Sequence, residues 1–265
     1  MLSNESADMN VTTTRHKAIL ELAREHKRVT VEGLAAHFAV SVQTIRKDLN
    51  MLCDQRLLSR VHGGATLPSG VENLEYEARR RIASDAKTAI GRAAAALIPN
   101  GASIFINIGT TTEAVSQALL DHTGLLVVTN NINVANRMRV YPSFEVVIAG
   151  GVVRPSDGAI VGEAAAGFFS QFKVDYAIIG ASALDEQGTL LDYDFREVKV
   201  AQAIIANARH VILVADQGKF KRTAPVRIAR IEQIGTFVTD ACISSEFRNI
   251  CAATGVSLVE TSQIS

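Results

Sequence analysis

A chain of 265 residues is too short for a large multidomain assembly and long enough for one or two domains with sizeable cores. Its composition, 48 % hydrophobic and 20 % charged, excludes the disordered class. The 27 Lys+Arg balance the 27 Asp+Glu, which excludes a uniformly basic coat, so any affinity for nucleic acid must come from a local patch.

Cys53, Cys242 and Cys251 form no CxxC pair and no ligand-spaced cluster with the six histidines. No disulfide scaffold, metal site or cofactor is therefore expected. Residues 1–14 are polar and lack a basic patch ahead of an apolar run, and no apolar stretch approaches the roughly 20 residues that cross a bilayer. A cytoplasmic protein is expected.

Charge is unevenly spread: residues 15–62 hold nine Lys+Arg against five Asp+Glu, which marks a basic N-terminal module after a flexible tail of residues 1–14. Ala18, Ile19, Leu22 and Ala23 predict a helix over 15–26. Thr30 can cap a second helix whose Leu34, Ala35 and Phe38 face inward. A tight break follows at Ala39-Val40. Ser41 then caps a third helix, with Thr44 where a capping box wants Glu or Gln, so the cap is expected without the reciprocal bond. Ile45, Leu49 and Leu52 form the buried stripe and leave Gln43, Thr44, Arg46, Lys47 and Asn50 on the other face. Leu57-Leu58 and Val61 flank Arg60 and His62 before Gly63-Gly64, the pattern of a small hairpin.

Three short helices and a hairpin describe a winged helix-turn-helix over 15–66. The third helix would enter the major groove and offer Gln43, Thr44, Arg46 and Lys47, while Arg60 and His62 on the wing touch the backbone. A solvated polar face, or a winged helix used for protein contacts, fits the same spacing.

Residues 67–85 read as a linker. Pro68-Ser69-Gly70 breaks structure, and Glu72, Glu75, Glu77 and Arg79-Arg80-Arg81 begin a charged helix whose arginines form a solvated face or a phosphate contact. From residue 86 onward, short apolar strands are expected over 103–108, 125–129, 145–149, 175–179, 210–215 and 234–239. Helices are expected over 86–97, 112–120, 133–139, 164–169, 195–207 and 244–253. Nearly continuous apolar strands are buried on both faces, so the fold class is α/β with a mainly parallel sheet.

Ligands of open α/β sheets collect at strand carboxyl ends. Those ends read Gly109-Thr-Thr-Thr112, Thr129-Asn-Asn131, Gly150-Gly151, Gly180-Ala-Ser182, and Asp216 with Lys219. A glycine turn entering a helix offers free N–H groups to a phosphate, although the same threonines could merely cap that helix. The turn is neither a P-loop nor a dinucleotide fingerprint. Asp194-Phe-Arg-Glu197 matches a capping box. Arg196 and Lys199 share the first turns of that helix, where cations oppose the dipole unless an anion or the carboxylates of Asp192, Asp194 and Glu197 balance them. Arg154 is either a further anion contact or a surface residue. No nucleophile elbow or HExxH appears, His122 and His210 are isolated, and no catalytic residue is named: the chain is not expected to be an enzyme.

Val40-Ser-Val-Gln-Thr-Ile-Arg-Lys-Asp-Leu-Asn50, Arg60-Val-His-Gly-Gly-Ala65, Ile108-Gly-Thr-Thr111, Thr129-Asn-Asn131, Gly150-Gly151 and Asp216-Gln-Gly-Lys-Phe220 together resemble the DeoR family of bacterial transcriptional repressors. Ile160-Val-Gly-Glu163, Leu191-Asp-Tyr-Asp-Phe-Arg-Glu-Val198 and Ala208-Arg-His-Val211 narrow the likeness to members that govern glycerol catabolism. The resemblance implies a winged helix for operator DNA, with Ser41, Gln43, Thr44, Arg46, Lys47, Arg60 and His62 in the DNA-binding set. It also implies a sensor and oligomerisation domain over 86–265, related in fold to ribose-5-phosphate isomerase. The implied inducer is a phosphorylated metabolite such as glycerol-3-phosphate, and the implied assembly a homodimer or homotetramer with no membrane partner. The family's phosphate loop falls on Gly109, Thr110 and Thr111, and its pocket on Asn130, Gly150, Gly151, Arg154, Glu197, Lys199 and Lys219. Two departures stand out. Lys47 replaces the commoner arginine, a point charge in place of a planar fork, and Gln55-Arg56-Leu57 replaces a small residue before the wing.

Overall fold

A computed structural model describes residues 14–26, 28–54, 57–61, 63–66 and 76–263 and divides the chain between Leu74 and Glu75 into two compact units. His62, the Gln55-Arg56 turn and the Pro68-Ser69-Gly70 break lie outside the described residues.

The first unit runs α1 (Thr14–His26), β1 (Arg28–Thr30), α2 (Val31–Phe38), α3 (Val42–Asp54), β2 (Ser59–Val61) and β3 (Gly64–Thr66). Its core joins Ile19 and Ala23 of α1, Leu34 of α2 and Ile45, Leu49 and Leu52 of α3 to Leu58 and Ala65 near the wing. The Thr30 hydroxyl caps α2 by accepting the Gly33 N–H at 3.1 Å. The break after α2 is a left-handed Ala39, φ 51°, which costs about 1 kcal/mol relative to a glycine there. The expected two-stranded hairpin is a three-stranded antiparallel sheet in the order β1-β3-β2. A Cβ on Gly64 would lie 2.0 Å from the Val29 carbonyl oxygen, so the wing closes on β1 only with glycine at that position.

The second unit runs α4 (Tyr76–Arg81), α5 (Ser84–Ala95), β4 (Ser103–Ile106), α6 (Thr110–Ala118), β5 (Leu126–Thr129), α7 (Ile132–Met138) and β6 (Glu145–Ile148). It continues with β7 (Val152–Val153), β8 (Ile160–Val161), α8 (Glu163–Phe169), β9 (Val174–Ile179), β10 (Ala183–Leu184), β11 (Thr189–Asp192) and α9 (Phe195–Ala206). It ends with β12 (Ala208–Val214), β13 (Val226–Arg230), β14 (Thr236–Thr239), α10 (Ser245–Thr254) and β15 (Ser257–Glu260). Seven parallel strands in the order β15-β14-β12-β9-β4-β5-β6 form the main sheet.

Successive residues of one strand serve opposite cores. Phe105 packs with Phe169, Val198 and Ile204 on one face, and Ile104 and Ile106 pack with Ile90, Val115 and Val134 on the other. That is why the strands read as unbroken apolar runs. The expected helices of this unit and the expected strands of its main sheet begin and end within two residues of the observed ones. A small sheet in the order β10-β11-β13, the β7-β8 pair and the edge strand β15 were not expected. The second unit begins at Glu75, so part of the expected linker is the helix α4, bound to this unit. Among the described residues no helix is long and apolar enough to cross a membrane.

Candidate functional site

On α3 the apolar stripe faces the core and Gln43, Arg46, Lys47 and Asn50 are exposed, with Thr44 half-buried. The Ser41 hydroxyl caps the helix, accepting the Thr44 N–H at 3.2 Å while its oxygen lies 2.9 Å from the Thr44 hydroxyl. Arg60 on β2 donates to the Asn50 side-chain oxygen, which ties wing to helix. The buried stripe also carries Asp48, a residue that sequence reading passed over. Its carboxylate accepts Arg15 Nε at 2.6 Å and Nη2 at 3.1 Å and lies 3.1 Å from His16 Nε2. Burial pushes the Asp48 carboxyl up, but the bonds from Arg15 and His16 outweigh it and hold the group below the usual carboxylate range.

In the second unit the strand-end motifs gather on the carboxyl edge of the main sheet. Gly109, φ 139°, makes the turn from β4 into α6 in a conformation that strains any other residue. No side chain caps α6. Thr112 is absorbed by the turn itself, its hydroxyl 2.7 Å from the carbonyls of Asn107 and Gly109. Thr110 is half-buried and Thr111 buried. The helix therefore presents its first N–H groups and the positive end of its dipole without a resident partner.

Asn107 and Asn130 follow directly on the paired residues Ile106 and Thr129 of β4 and β5. Both are buried, and each keeps a side-chain oxygen with no hydrogen-bond partner among the described residues. The Asn130 amide nitrogen donates to the Ile160 carbonyl at 3.0 Å, which fixes the orientation of its oxygen. Buried acceptors left open in this way call for a donor from outside the chain. Asn107 is missing from the sequence-derived set, and its signal was a lone amide closing the apolar run of β4. Gly180, after β9, backs the same turn: a Cβ there would touch the Thr112 methyl at 3.7 Å and the Ile108 carbonyl at 4.0 Å. Gly150 and Gly151 join β6 to β7, Gly151 with φ 146°.

Lys219 sits in a 3-10 turn after β12 (Gln217–Lys221) capped by Asp216, whose carboxylate accepts the Gly218 N–H at 3.0 Å. The ammonium is half-buried and makes no ion pair or hydrogen bond among the described residues. Burial, and then Arg222 beside it, push Lys219 down to about 8, with Arg79 and Lys87 adding to the effect and Asp216 opposing it. Asp216 is the one carboxylate acting on Lys219, against three cations.

Arg154 is spoken for. Its Nε and Nη2 reach Asp157 at 2.9 and 2.7 Å, its Nη1 reaches Asp194 at 3.1 Å, and Nη2 also reaches Glu197 at 2.8 Å. Burial lowers its pKa, but these carboxylates more than offset that and keep the guanidinium charged. Burial, then the charge of Asp192, push Glu197 up to about 8 in spite of its bond to Arg154. The capping box expected at the start of α9 is half formed: Asp194 accepts the Arg196 N–H at 3.0 Å, while Glu197 has turned to Arg154. Arg196 is balanced by Asp194 at 2.8 Å. Lys199 is exposed and paired with Glu163, in contact with none of the strand-end residues. The structure thus brings Gly109, Thr110, Thr111, Asn130 and Lys219 to one sheet edge. It sets Arg154 and Glu197 in an adjoining ion network and turns Lys199 outward.

A winged helix carrying exposed cations, followed by a separate α/β unit, is the arrangement of a DNA-binding regulator with a second, non-DNA-binding domain. Residues 15–71 match the DeoR-like helix-turn-helix domain and residues 82–241 the DeoR C terminal sensor domain. The chain is 48 % identical over 229 residues to the glycerol-3-phosphate regulon repressor of Escherichia coli, covering 86 % of this chain and 91 % of that one. It is 49 % identical over 220 residues to the protein of that name from Haemophilus influenzae, covering 83 % and 86 %. The chain belongs to the DeoR family and is a DNA-binding transcriptional repressor. Among solved structures it is similar to ribose 5-phosphate isomerase from Neisseria gonorrhoeae, 14 % identical with a TM-score of 0.37, over 54 % of each chain.

Proposed function

We propose that this repressor holds operators of glycerol or related carbohydrate catabolism genes in the cytoplasm and releases them when glycerol-3-phosphate occupies the strand-end site. One observation carries the reading: an uncapped helix start, a lysine with no direct ion pair among the described residues and two open buried amide oxygens share a single sheet edge. The phosphate takes the N–H groups and hydroxyls of Thr110 and Thr111 and the Lys219 ammonium, and carbinol hydroxyls donate to Asn107 and Asn130. Gly150 and Gly151 leave room beside them. The Arg154–Glu197 network frames the site, and Lys199 stays outside it. Glycerol-3-phosphate is the favoured ligand because the relatives named above are repressors of that regulon.

On the DNA side Gln43, Thr44, Arg46 and Lys47 meet bases and phosphates, with Ser41, Arg60 and His62 positioning the module on the backbone. One short half-site per module is too little for selective binding, so a homodimer or homotetramer on paired sites is the working form.

The test is a titration of the protein–operator complex with glycerol-3-phosphate. Thr110→Val keeps bulk, loses one charge-assisted bond and should need roughly tenfold more ligand for release. If no phosphorylated three- to six-carbon ligand alters operator affinity, or if the variant responds like wild type, the assignment fails.

A further inference from the structure

Arg79 lies on α4, five residues into the second unit. Its Nη2 reaches Asp157 Oδ2 at 3.2 Å, long for a charge-assisted bond, and that oxygen is already held by Arg154 at 2.7 Å. Its Nε is buried and has no hydrogen-bond acceptor among the described residues. Arg79 is therefore a weakly held guanidinium with a desolvated N–H open among the described residues, near the Lys219 ammonium. It lies close enough to Lys87 and Lys219 to depress both ammonium groups.

The rest of α4 is fastened to the same place by polar bonds. The Tyr76 hydroxyl donates to Glu113 Oε2 at 2.5 Å and accepts Asn133 Nδ2 at 3.0 Å. Glu113 belongs to the first turn of α6, directly after the three threonines. The buried Lys87 ammonium donates to the carbonyls of Arg79 and of Ile82, the latter at 2.7 Å, and so holds the end of α4 against α5. The loop that presents Asp157 is joined to the pocket as well, since Asn130 both accepts the Ile160 N–H, at 2.8 Å through its carbonyl, and donates to the Ile160 carbonyl. Of the partners of α4, Glu113 thus stands on the helix that opens with the three threonines, and Asp157 on the β7–β8 loop that Asn130 joins to the site.

We propose that Arg79 is a ligand-binding residue of that site, turning its open N–H to the anion, and that α4 is the element through which occupancy is read by the chain leading to the DNA-binding unit. The inference rests on the phosphorylated-ligand reading given above. An anion that completes the coordination of Arg79 binds the docked form of α4 more tightly than an undocked one, and this difference is what shifts the population. The helix precedes the unit's first strand and follows the unit boundary, so a preference in its docking is a preference in where the chain enters the sensor.

The experiment uses the full-length protein, with calorimetric titration by glycerol-3-phosphate and by inorganic phosphate, and operator release followed by anisotropy. Arg79→Gln should weaken both ligands by roughly tenfold, and Arg79→Lys, which restores charge without the fork, should fall between it and wild type. Tyr76→Phe should bind glycerol-3-phosphate within about threefold of wild type yet release operator over a broader, incomplete range, a separation that a merely structural role for α4 does not produce. Should Arg79→Gln fail to fold, Arg79→Lys carries the comparison and must bind both probes more weakly than wild type. Wild-type affinity in the Arg79 variants, while wild type itself binds and responds, overturns this inference alone. Binding of neither probe by wild type overturns the site reading as well. Undiminished release by Tyr76→Phe removes α4 as the reading element.

Discussion

Lys219 shows how a single side chain converts an electrostatic imbalance into a measurable property. Its folded pKa, pushed down to about 8, lies below the ordinary lysine value, so between about pH 8 and 10.4 the folded protein binds fewer protons than the unfolded chain. Stability contributed through this residue therefore rises with pH across that window. A phosphate beside the ammonium restores the charged form. Ligand binding at pH 8.5 should take up protons, and affinity should fall as pH climbs through 8 toward 10. Titration calorimetry in two buffers of different ionisation enthalpy measures the uptake, and a heat independent of buffer in wild type would remove Lys219 from the anion site. The motif Asp216-Gln-Gly-Lys made this residue visible in the sequence. The engagement of Arg154 by three carboxylates and the pairing of Lys199 with Glu163 were not visible, because both depend on residues that meet only in the folded chain. Asn107 escaped for a related reason: an amide at the end of an apolar strand looks like the strand's terminus until its oxygen is seen to be buried and open.

At the level of elements, legibility followed apolar burial. The main-sheet strands are runs that feed two cores at once, and the helices around them carry a buried stripe, so both leave a period in the sequence. Strands of two or three residues such as β1, β7, β8 and β10 are too short to show alternation. Helix α4 showed in the sequence as the start of a charged helix, but its polar attachment to the second unit, through Tyr76, Arg79 and the carbonyls that Lys87 holds, did not. The wing gives the clearest test of an element whose geometry is set by one position. Gly64→Ala must push β3 off the Val29 carbonyl, since a Cβ at 2.0 Å is an overlap that no rotamer relieves. We expect a loss of about 2 kcal/mol or more in the stability of the first unit, read as a lower urea midpoint, together with weaker operator binding. An unchanged midpoint would show that β1 and β3 are not held at this spacing.

The whole chain is two units with separate cores, one around Ile19, Ile45 and Leu49 and the others on the two faces of the parallel sheet. Calorimetry of the intact protein should resolve two transitions. Operator DNA should raise the transition of the first unit and glycerol-3-phosphate that of the second, since each ligand stabilises the form that binds it. A ligand that moved only the transition assigned to the first unit would contradict the placement of the sensor. The buried Asp48 carries a different consequence, for genetics. It joins α1 to the inner face of the helix whose outer face we propose for DNA, so losing its partners Arg15 or His16 disturbs that helix from behind. A random-mutagenesis screen for lost repression will collect changes at Arg15, His16 and Asp48 beside those on the exposed face. The two groups part on warming, because the buried class fails as a temperature-sensitive allele while the exposed class is equally defective in the cold.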